Sequence, residues 1–370
     1  MARDDAQPSV WATAEQGVRQ ALEHERAAGA LVGAQYLVVS ATETRIDLQV
    51  GVADAAAEQP LTRETWQLAY SITKALTAIA ALRLVDAGAL ALDRPLSDYY
   101  RDHPYGDAVQ VRQLLAHTAG VPSPAPLSWF TVADQPGDRA KQLTALLAAN
   151  PRLLAAPGTA YRYSNLGYWL LEEVIQAAAG MDYGQYVQQQ IFAPLASGLP
   201  VGFSPAEAPT LAVGHTPRFR PLGLLLRALT PRRYWIESVG RWRRAESVLP
   251  FGRAYGGLFC SAAALAPVLA DLLRPTPRLL SAAARDQMFQ PQQLASGRAT
   301  GDALGWVCGS LDGARYLGKQ GGGLGFHGNV RVYPGLGLAT VLLANVTEVS
   351  AGPIDRRSDR LDRCLIRALA

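Results

Sequence analysis

Apolar residues recur along this chain with two different periods, and the switches between them predict the order of its elements. Val10, Ala14, Val18, Ala21 and Leu22 keep helical spacing between Val10 and Ala28. The stretches ALVGAQYLVVS and TRIDLQVGVAD follow as two short strands, so the chain opens with a helix and a β-hairpin. Ile72, Leu76, Ile79, Leu82 and Val85 then recur at steps of three or four and stop at Gly88, predicting a strong helix that begins at Ser71 and Lys74. From about residue 90 to 250, patterns such as VRQLLAHTAG, AKQLTALLAA and LGYWLLEEVIQAAAG, broken by Pro and Gly, read as mostly helical. Past Gly256, GGLFCSAAALAPVLADLLR reads as a helix, and ALGWVCGSL, ARYLGKQGG, GNVRVYPG and GLATVLLANV read as strands between Gly-rich turns. IDRRSDRLDRCLIRAL closes the chain as a helix with Leu361, Leu365 and Leu369 on one face.

Strands at both ends with helices between them predict a mixed α+β fold. One antiparallel sheet would be assembled from the two termini and flanked by terminal helices, with a helical subdomain inserted. The expected division of the single unit 1–370 is an α/β subdomain from 8–70 plus 252–370 and a mainly helical subdomain over 71–251.

Composition narrows the class. With 370 residues, 49% hydrophobic and 18% charged, the chain belongs with globular enzymes rather than disordered or fibrous proteins. The net charge of +4 is misleading, because residues 217–244 hold eight Arg against one acid, Glu237, and so carry +7; subtracting leaves −3 for the rest. The basic balance describes one segment, so nucleic acid is not an expected partner. Cys260, Cys308 and Cys364 are far apart and lack metal-ligand spacing, which suggests reduced thiols and neither a disulfide framework nor a zinc site. The start, MARDDAQPSVWATAEQ, lacks a basic n-region and an apolar h-region, and no run of about 18 apolar residues occurs, so a cytoplasmic location is expected.

Ser71-Ile72-Thr73-Lys74 places a hydroxyl and an amine on one helix face, where a desolvated lysine can take the serine proton. A serine near a helix start is more often a cap, so the pair gains meaning from its company. In PGTAYRYSNLGYWLL, Tyr163 can serve as a phenolate-like base, and Asn165 can orient Lys74 or bond a substrate ester or amide. In YLGKQGGGLGFHGNVRVY, Lys319 ends a strand that enters a Gly-rich turn. Gly321 and Gly322 there allow close approach of a ligand, and a Gly322 N–H can join that of Ser71 as an oxyanion hole. A plain turn and a plain hairpin are the bland alternatives for these two segments.

Together these segments resemble the serine β-lactamase and penicillin-binding-protein superfamily, in the branch holding class C β-lactamases, D-aminopeptidases and family VIII carboxylesterases. The resemblance spans most of the chain through five ordered segments: YSITKALTAIAALRLVDAGALALDRPLSDY, VRQLLAHTAGVP, PGTAYRYSNLGYWLL, YGGLFCSAAALA and GKQGGGLGFHG. It implies a β-lactamase/transpeptidase-like fold with Ser71 as nucleophile and Lys74 and Tyr163 as the base system. Asn165, Lys319, Gly321 and Gly322 would contact substrate, with no metal or cofactor. His117 is expected to be structural, and His327 to be a solvated loop residue near the cleft rim. The third motif departs from the family in reading Lys-Gln-Gly, so Gln320 stands where a compact hydroxyl is usual. The Gly-x-Ser-x-Gly elbow of α/β-hydrolases is absent.

The implied activity is a serine hydrolase acting through an acyl-enzyme, a carboxylesterase first, with amidase or D-aminopeptidase, β-lactamase and acyltransferase as alternatives on the same fold. An acylation-based sensor is the non-enzyme alternative. The expected partner is a small-molecule ester or amide. The Arg-rich and Leu-rich stretch 217–251 has three readings: a lid lining an acyl pocket, an interfacial segment resting on anionic lipid, or a solvated surface insertion. An integral membrane role is not expected.

Overall fold

The computed structural model describes residues 9–124, 130–132, 137–196, 198–348 and 355–369. The leader reading of residues 1–8, the subdomain start at residue 8 and Ile354 of the closing helix lie outside the described residues. The helices are α1 (Val10–Ala27), α2 (Thr73–Asp86), α3 (Val111–Leu115), α4 (Arg139–Ala149), α5 (Asn165–Ala179) and α6 (Tyr183–Val187). They continue with α7 (Pro221–Leu229), α8 (Ala262–Leu272), α9 (Ala282–Phe289) and α10 (Arg356–Leu369). The strands begin with β1 (Gly33–Ser40), β2 (Thr44–Asp54), β3 (Gln59–Pro60), β4 (Gln67–Leu68) and β5 (Phe130–Val132). β6 (Gly214–Pro217), β7 (Trp235–Val239), β8 (Trp242–Ala245), β9 (Val248–Pro250) and β10 (Phe259–Cys260) lie in the middle of the chain. β11 (Val307–Leu311), β12 (Ala314–Gly322), β13 (His327–Tyr333) and β14 (Leu338–Ala344) complete them.

The expected terminal assembly is present: the main sheet runs β11-β12-β13-β14-β1-β2-β3, with β1 and β14 joining the two ends of the chain antiparallel from Ala34↔Ala344 to Ser40↔Leu338. Both faces of β1 are covered, so its alternation is between two cores rather than core and water. Leu37 and Val39 face α2 and α8, while Tyr36 and Val38 face α1 and α10. α1 is capped by Ser9, whose side chain accepts from the Ala12 amide, and buries Ala14, Val18 and Leu22.

α10 is held by charge as well as by Leu361 and Leu365. Arg331 on β13 meets Asp362 at 3.0 Å, and Asp362 also accepts from Tyr333 (2.7 Å) and Tyr36 (2.8 Å), all buried. Arg357 reaches Glu25 of α1 at 2.6 Å.

Three local readings differ from the structure. The 90–250 region, read as mostly helical, also carries β5 to β9, including a three-stranded sheet β6-β8-β7. Over Trp242–Ala245 of β8 the two ends are buried and Arg243 and Arg244 are half-buried, so the strand lacks the period of two that would reveal it. α9 was not foreseen, because only Ala284 and Met288 of its eight residues are buried and no stripe results. His327 is not a solvated loop residue. It opens β13, is buried, and its Nε2 lies 3.0 Å from Asp355.

Among the described residues, no helix is long and apolar enough to cross a membrane. Arg331 also pairs with Asp359, so removing Asp362 leaves the arginine one anion but takes the acceptor from the buried Tyr36 and Tyr333 hydroxyls, a loss of about 1–3 kcal/mol. Asp362→Ala is therefore expected to lower the urea midpoint by that equivalent without changing the slope, and an unchanged midpoint would show that α10 is held by its leucines alone.

Candidate active site

Ser71 lies in a single 3₁₀ turn, Tyr70–Ile72, that runs directly into α2. Tyr70 adopts φ +46, the left-handed region that L-residues enter at a cost. The turn is held by bonds on both sides: Thr73 Oγ1 donates to the Tyr70 carbonyl at 2.7 Å, and the Tyr70 hydroxyl donates to the Leu324 carbonyl at 2.8 Å. The Thr73 hydroxyl also accepts from the Leu258 amide, and Thr77 Oγ1 donates to the Ala254 carbonyl, so α2 is stitched to the 254–258 segment.

Lys74 is fully buried one turn into this arrangement. Its Nζ lies 3.0 Å from Ser71 Oγ, 2.9 Å from Asn165 Oδ1 and 2.6 Å from the Tyr255 carbonyl. No ion pair reaches it among the described residues. Burial, and then the neighbouring charge of Lys319, push its pKa well below the ordinary lysine value. The neutral amine has two N–H donors and one lone pair. Asn165 Oδ1 and the Tyr255 carbonyl can only accept, so they take both N–H groups and leave the lone pair facing Ser71.

Tyr163 completes the group, its hydroxyl 2.8 Å from Ser71 Oγ. Burial pushes the phenol up, and the Ser71 hydrogen bond only partly offsets this, so it rests protonated. With 39% of its surface exposed, Tyr163 nevertheless remains open to the cleft.

The loop bearing Tyr163 is set by His117, which has φ +56 and is buried. Its Nδ1 accepts from the Ser164 amide at 3.1 Å, and its carbonyl accepts from the Arg162 amide at 2.7 Å. Burial, and then the charge of Lys319, push the imidazole far below its usual range, so it is neutral and carries its proton on Nε2. Ser164 caps α5 by accepting from the Gly167 amide, which fixes Asn165 as the first helical residue.

From the opposite side comes β12. Lys319 is buried, its Nζ 5.5 Å from the centre of the Tyr163 ring, and burial pushes its pKa down to about 8 against the opposing pull of Asp302. Gly321 lies so close to the serine turn that a Cβ there would stand 2.1 Å from the Ala69 carbonyl oxygen and 2.9 Å from the Ser71 amide nitrogen. Gly322 is looser, with nothing nearer than 3.6 Å to such a Cβ. β11 pairs with β12 only as far as Gly318, so among the described residues no strand pairs with Lys319 to Gly322 on that edge. A cleft of about 680 Å³ opens along that edge, lined by Tyr161, Tyr163, Asp302, Lys319, Gln320 and Arg331 among others.

The structure thus gathers Ser71, Lys74, Tyr163, Asn165, Lys319 and Gly321 at one place, with Gly322 at the end of the same strand. Sequence reasoning missed the Tyr255 carbonyl, Tyr161 and Asp302. The Gly256-Gly257 pair was the available sign of the first, since a Cβ at Gly256 would already touch Tyr70 at 3.5 Å. Tyr161, which donates to Asp302 at 2.8 Å, was visible only as another aromatic beside Tyr163.

A beta-lactamase family model matches residues 18–362. Penicillin-binding protein 4 of Amycolatopsis lactamdurans is 28% identical over 317 residues, 81% of this chain and 77% of that protein. The D-amino acid amidase of Ochrobactrum anthropi SV3, solved with L-phenylalanine amide, superposes with a TM-score of 0.79 at 20% identity, covering 96% of this chain and 100% of that one. EstCE1, described as a hydrolase with promiscuous acyltransferase activity, superposes at 0.72 and 20% identity, covering 97% and 100%. At these identities the two structures speak to the fold alone.

The Gly321 contact yields a direct test. Gly321→Ala is expected to push β12 off the serine turn and abolish labelling of Ser71 by a fluorophosphonate, read by intact mass, while Gly322→Ala keeps it. Equal labelling of both variants would show that β12 does not set the serine.

Proposed function

Because the chain belongs to the beta-lactamase family, we propose that it is a serine hydrolase that cleaves small carboxylic esters through an acyl-enzyme on Ser71. The observation that carries this reading is the position of Ser71 Oγ, within hydrogen-bond distance of both the Lys74 amine and the Tyr163 phenol. As Oγ bonds to the substrate carbonyl carbon, its proton passes to the Lys74 lone pair, and the Ser71 and Gly322 amides take the oxyanion. Tyr163 gives its proton to the leaving alkoxide. The resulting phenolate then draws a proton from the attacking water, and the Lys74 ammonium returns its proton to Ser71 Oγ as the acid departs. Each group ends as it began, with no outside reagent but water.

Asn165 holds Lys74 and faces the substrate carbonyl group, and Lys319 offers a cation to an acidic substituent. The free thiols Cys260, Cys308 and Cys364 support a reducing, cytoplasmic setting. A second reading, cleavage or transfer of amides, is favoured by that edge of β12 from Lys319 to Gly322, which can pair with an extended amide backbone.

Ser71→Ala is expected to remove all turnover of a short-chain p-nitrophenyl ester, and Lys74→Ala to slow it about 10²–10⁴-fold. Retention of full activity by Ser71→Ala sinks the mechanism. Turnover of a D-amino acid anilide or a chromogenic cephalosporin with no ester turnover moves the amide reading ahead.

For an ester bearing a carboxylate, KM is expected to rise as pH passes about 8, where Lys319 loses its charge. Lys319→Arg keeps its charge and is expected to remove that limb; an unchanged limb would place the ionisation elsewhere.

A further inference from the structure

Nine large apolar side chains are exposed among the described residues, and four of them, Phe219, Leu224, Leu225 and Leu229, fall within eleven positions. The three leucines belong to a helix whose apolar side faces outward, and Phe219 lies just before it. On α7 the outward positions are Pro221, Leu224, Leu225, Ala228 and Leu229, an apolar stripe at helical spacing, and Leu225 and Leu229 are 55% and 60% exposed. The inward side is fixed by Gly223, where a Cβ would stand 1.6 Å from the Pro217 carbonyl oxygen, and no rotation can bury the stripe.

The rim of this stripe is basic. Arg218 and Arg220 precede the helix, Arg232 and Arg233 follow it, and all four are exposed. From 218 to 236 there is no acidic residue, and none of these four arginines joins an ion pair among the described residues. Burial first, and then the like charges of Arg227 and Arg218, lower the pKa of Arg243 beside them.

The surface is presented firmly. β6 and β8 carry it, Arg244 of β8 meets Asp54 of β2 at 2.6 Å, and buried His215 accepts from the Ala55 amide and contacts the Asn345 carbonyl. Tyr234 and Trp235 pack with Leu324, whose carbonyl receives the Tyr70 hydroxyl beside Ser71. The segment that follows α7 is thereby tied to the serine turn.

An apolar ridge about 13 Å long with cations at both ends is complementary to an acyl boundary overlain by phosphates. We propose that α7 and its flanking arginines form a docking surface for an anionic phospholipid bilayer. Phe219, Leu224, Leu225 and Leu229 enter the acyl boundary, and Arg218, Arg220, Arg232 and Arg233 meet the headgroup phosphates. This surface is independent of the chemistry at Ser71.

The test is sedimentation of the whole protein with vesicles of phosphatidylcholine alone and of phosphatidylcholine with phosphatidylglycerol. Binding is expected to the anionic vesicles only and to fall in high salt. It is expected to weaken roughly tenfold or more both when Leu224, Leu225 and Leu229 become Ser and when Arg218, Arg220, Arg232 and Arg233 become Gln. Circular dichroism and fluorophosphonate labelling of Ser71 in the same variants establish that they are folded. Absence of binding, equal binding to both vesicles, or binding that the substitutions leave unchanged overturns the proposal. A dimer in light scattering that vesicles do not dissociate and that the leucine variant abolishes also overturns it, by assigning the face to a second copy.

Discussion

A primary amine sealed from water without a carboxylate partner is the constraint on which the rest of this site depends. Burying Lys74 disfavours its ammonium form, and the two obligate acceptors around it direct what remains of its basicity at a single hydroxyl. An exposed lysine would stay charged, and a buried one beside Asp or Glu would stay charged as well. Lys319 contributes from a distance by adding like charge, while its own opposing partner, Asp302, is turned to Tyr161.

Holding that amine requires parts of the chain that are remote in sequence. Asn165 arrives on the capped start of α5, and the Tyr255 carbonyl arrives on a segment clamped by Thr73, Thr77 and Glu172, the last accepting from the Ala254 amide at 2.9 Å. Glu172 in turn is neutralised by Arg139 and Arg253. Lys319 and Gly321 come from the terminal sheet, whose position depends on β1 pairing with β14 across almost the whole chain. Two non-glycine residues with positive φ, Tyr70 and His117, lie at the serine turn and at the base of the Tyr163 loop. Of the five described non-glycine residues with positive φ, these two aim side chains at the site, and hydrogen bonds on either side sustain them.

What could be read from the sequence was what depends on local period. The α2 stripe from Ile72 to Val85, the β1–β2 hairpin and the four closing strands each repeat at 3.6 or 2 residues, and the Ser71–Lys74 spacing is intrinsic to one helix. What could not be read depends on company in space. His327 reads as a loop histidine until Asp355 is brought to it, and the backbone carbonyl of Tyr255 has no side-chain signature at all. The strands β7 and β8 turn at Gly240, φ +51, but neither alternates between buried and exposed, and Arg243 and Arg244 are tethered to Gly223 and Asp54 instead of projecting freely. The leucines of α7 stand in a stretch with three open readings, and the sequence does not reveal that their apolar side faces water.

The most direct measurement is the pH dependence of single-turnover acylation of Ser71 by an activated ester, in wild type and in Lys74→Ala. A rate that rises and reaches its plateau well below the ordinary lysine pKa of about 10.4, with that limb absent from the variant, is the result expected of a desolvated neutral Lys74. A wild-type rate that keeps climbing until an ordinary lysine would deprotonate, or a limb that persists in Lys74→Ala, would contradict it.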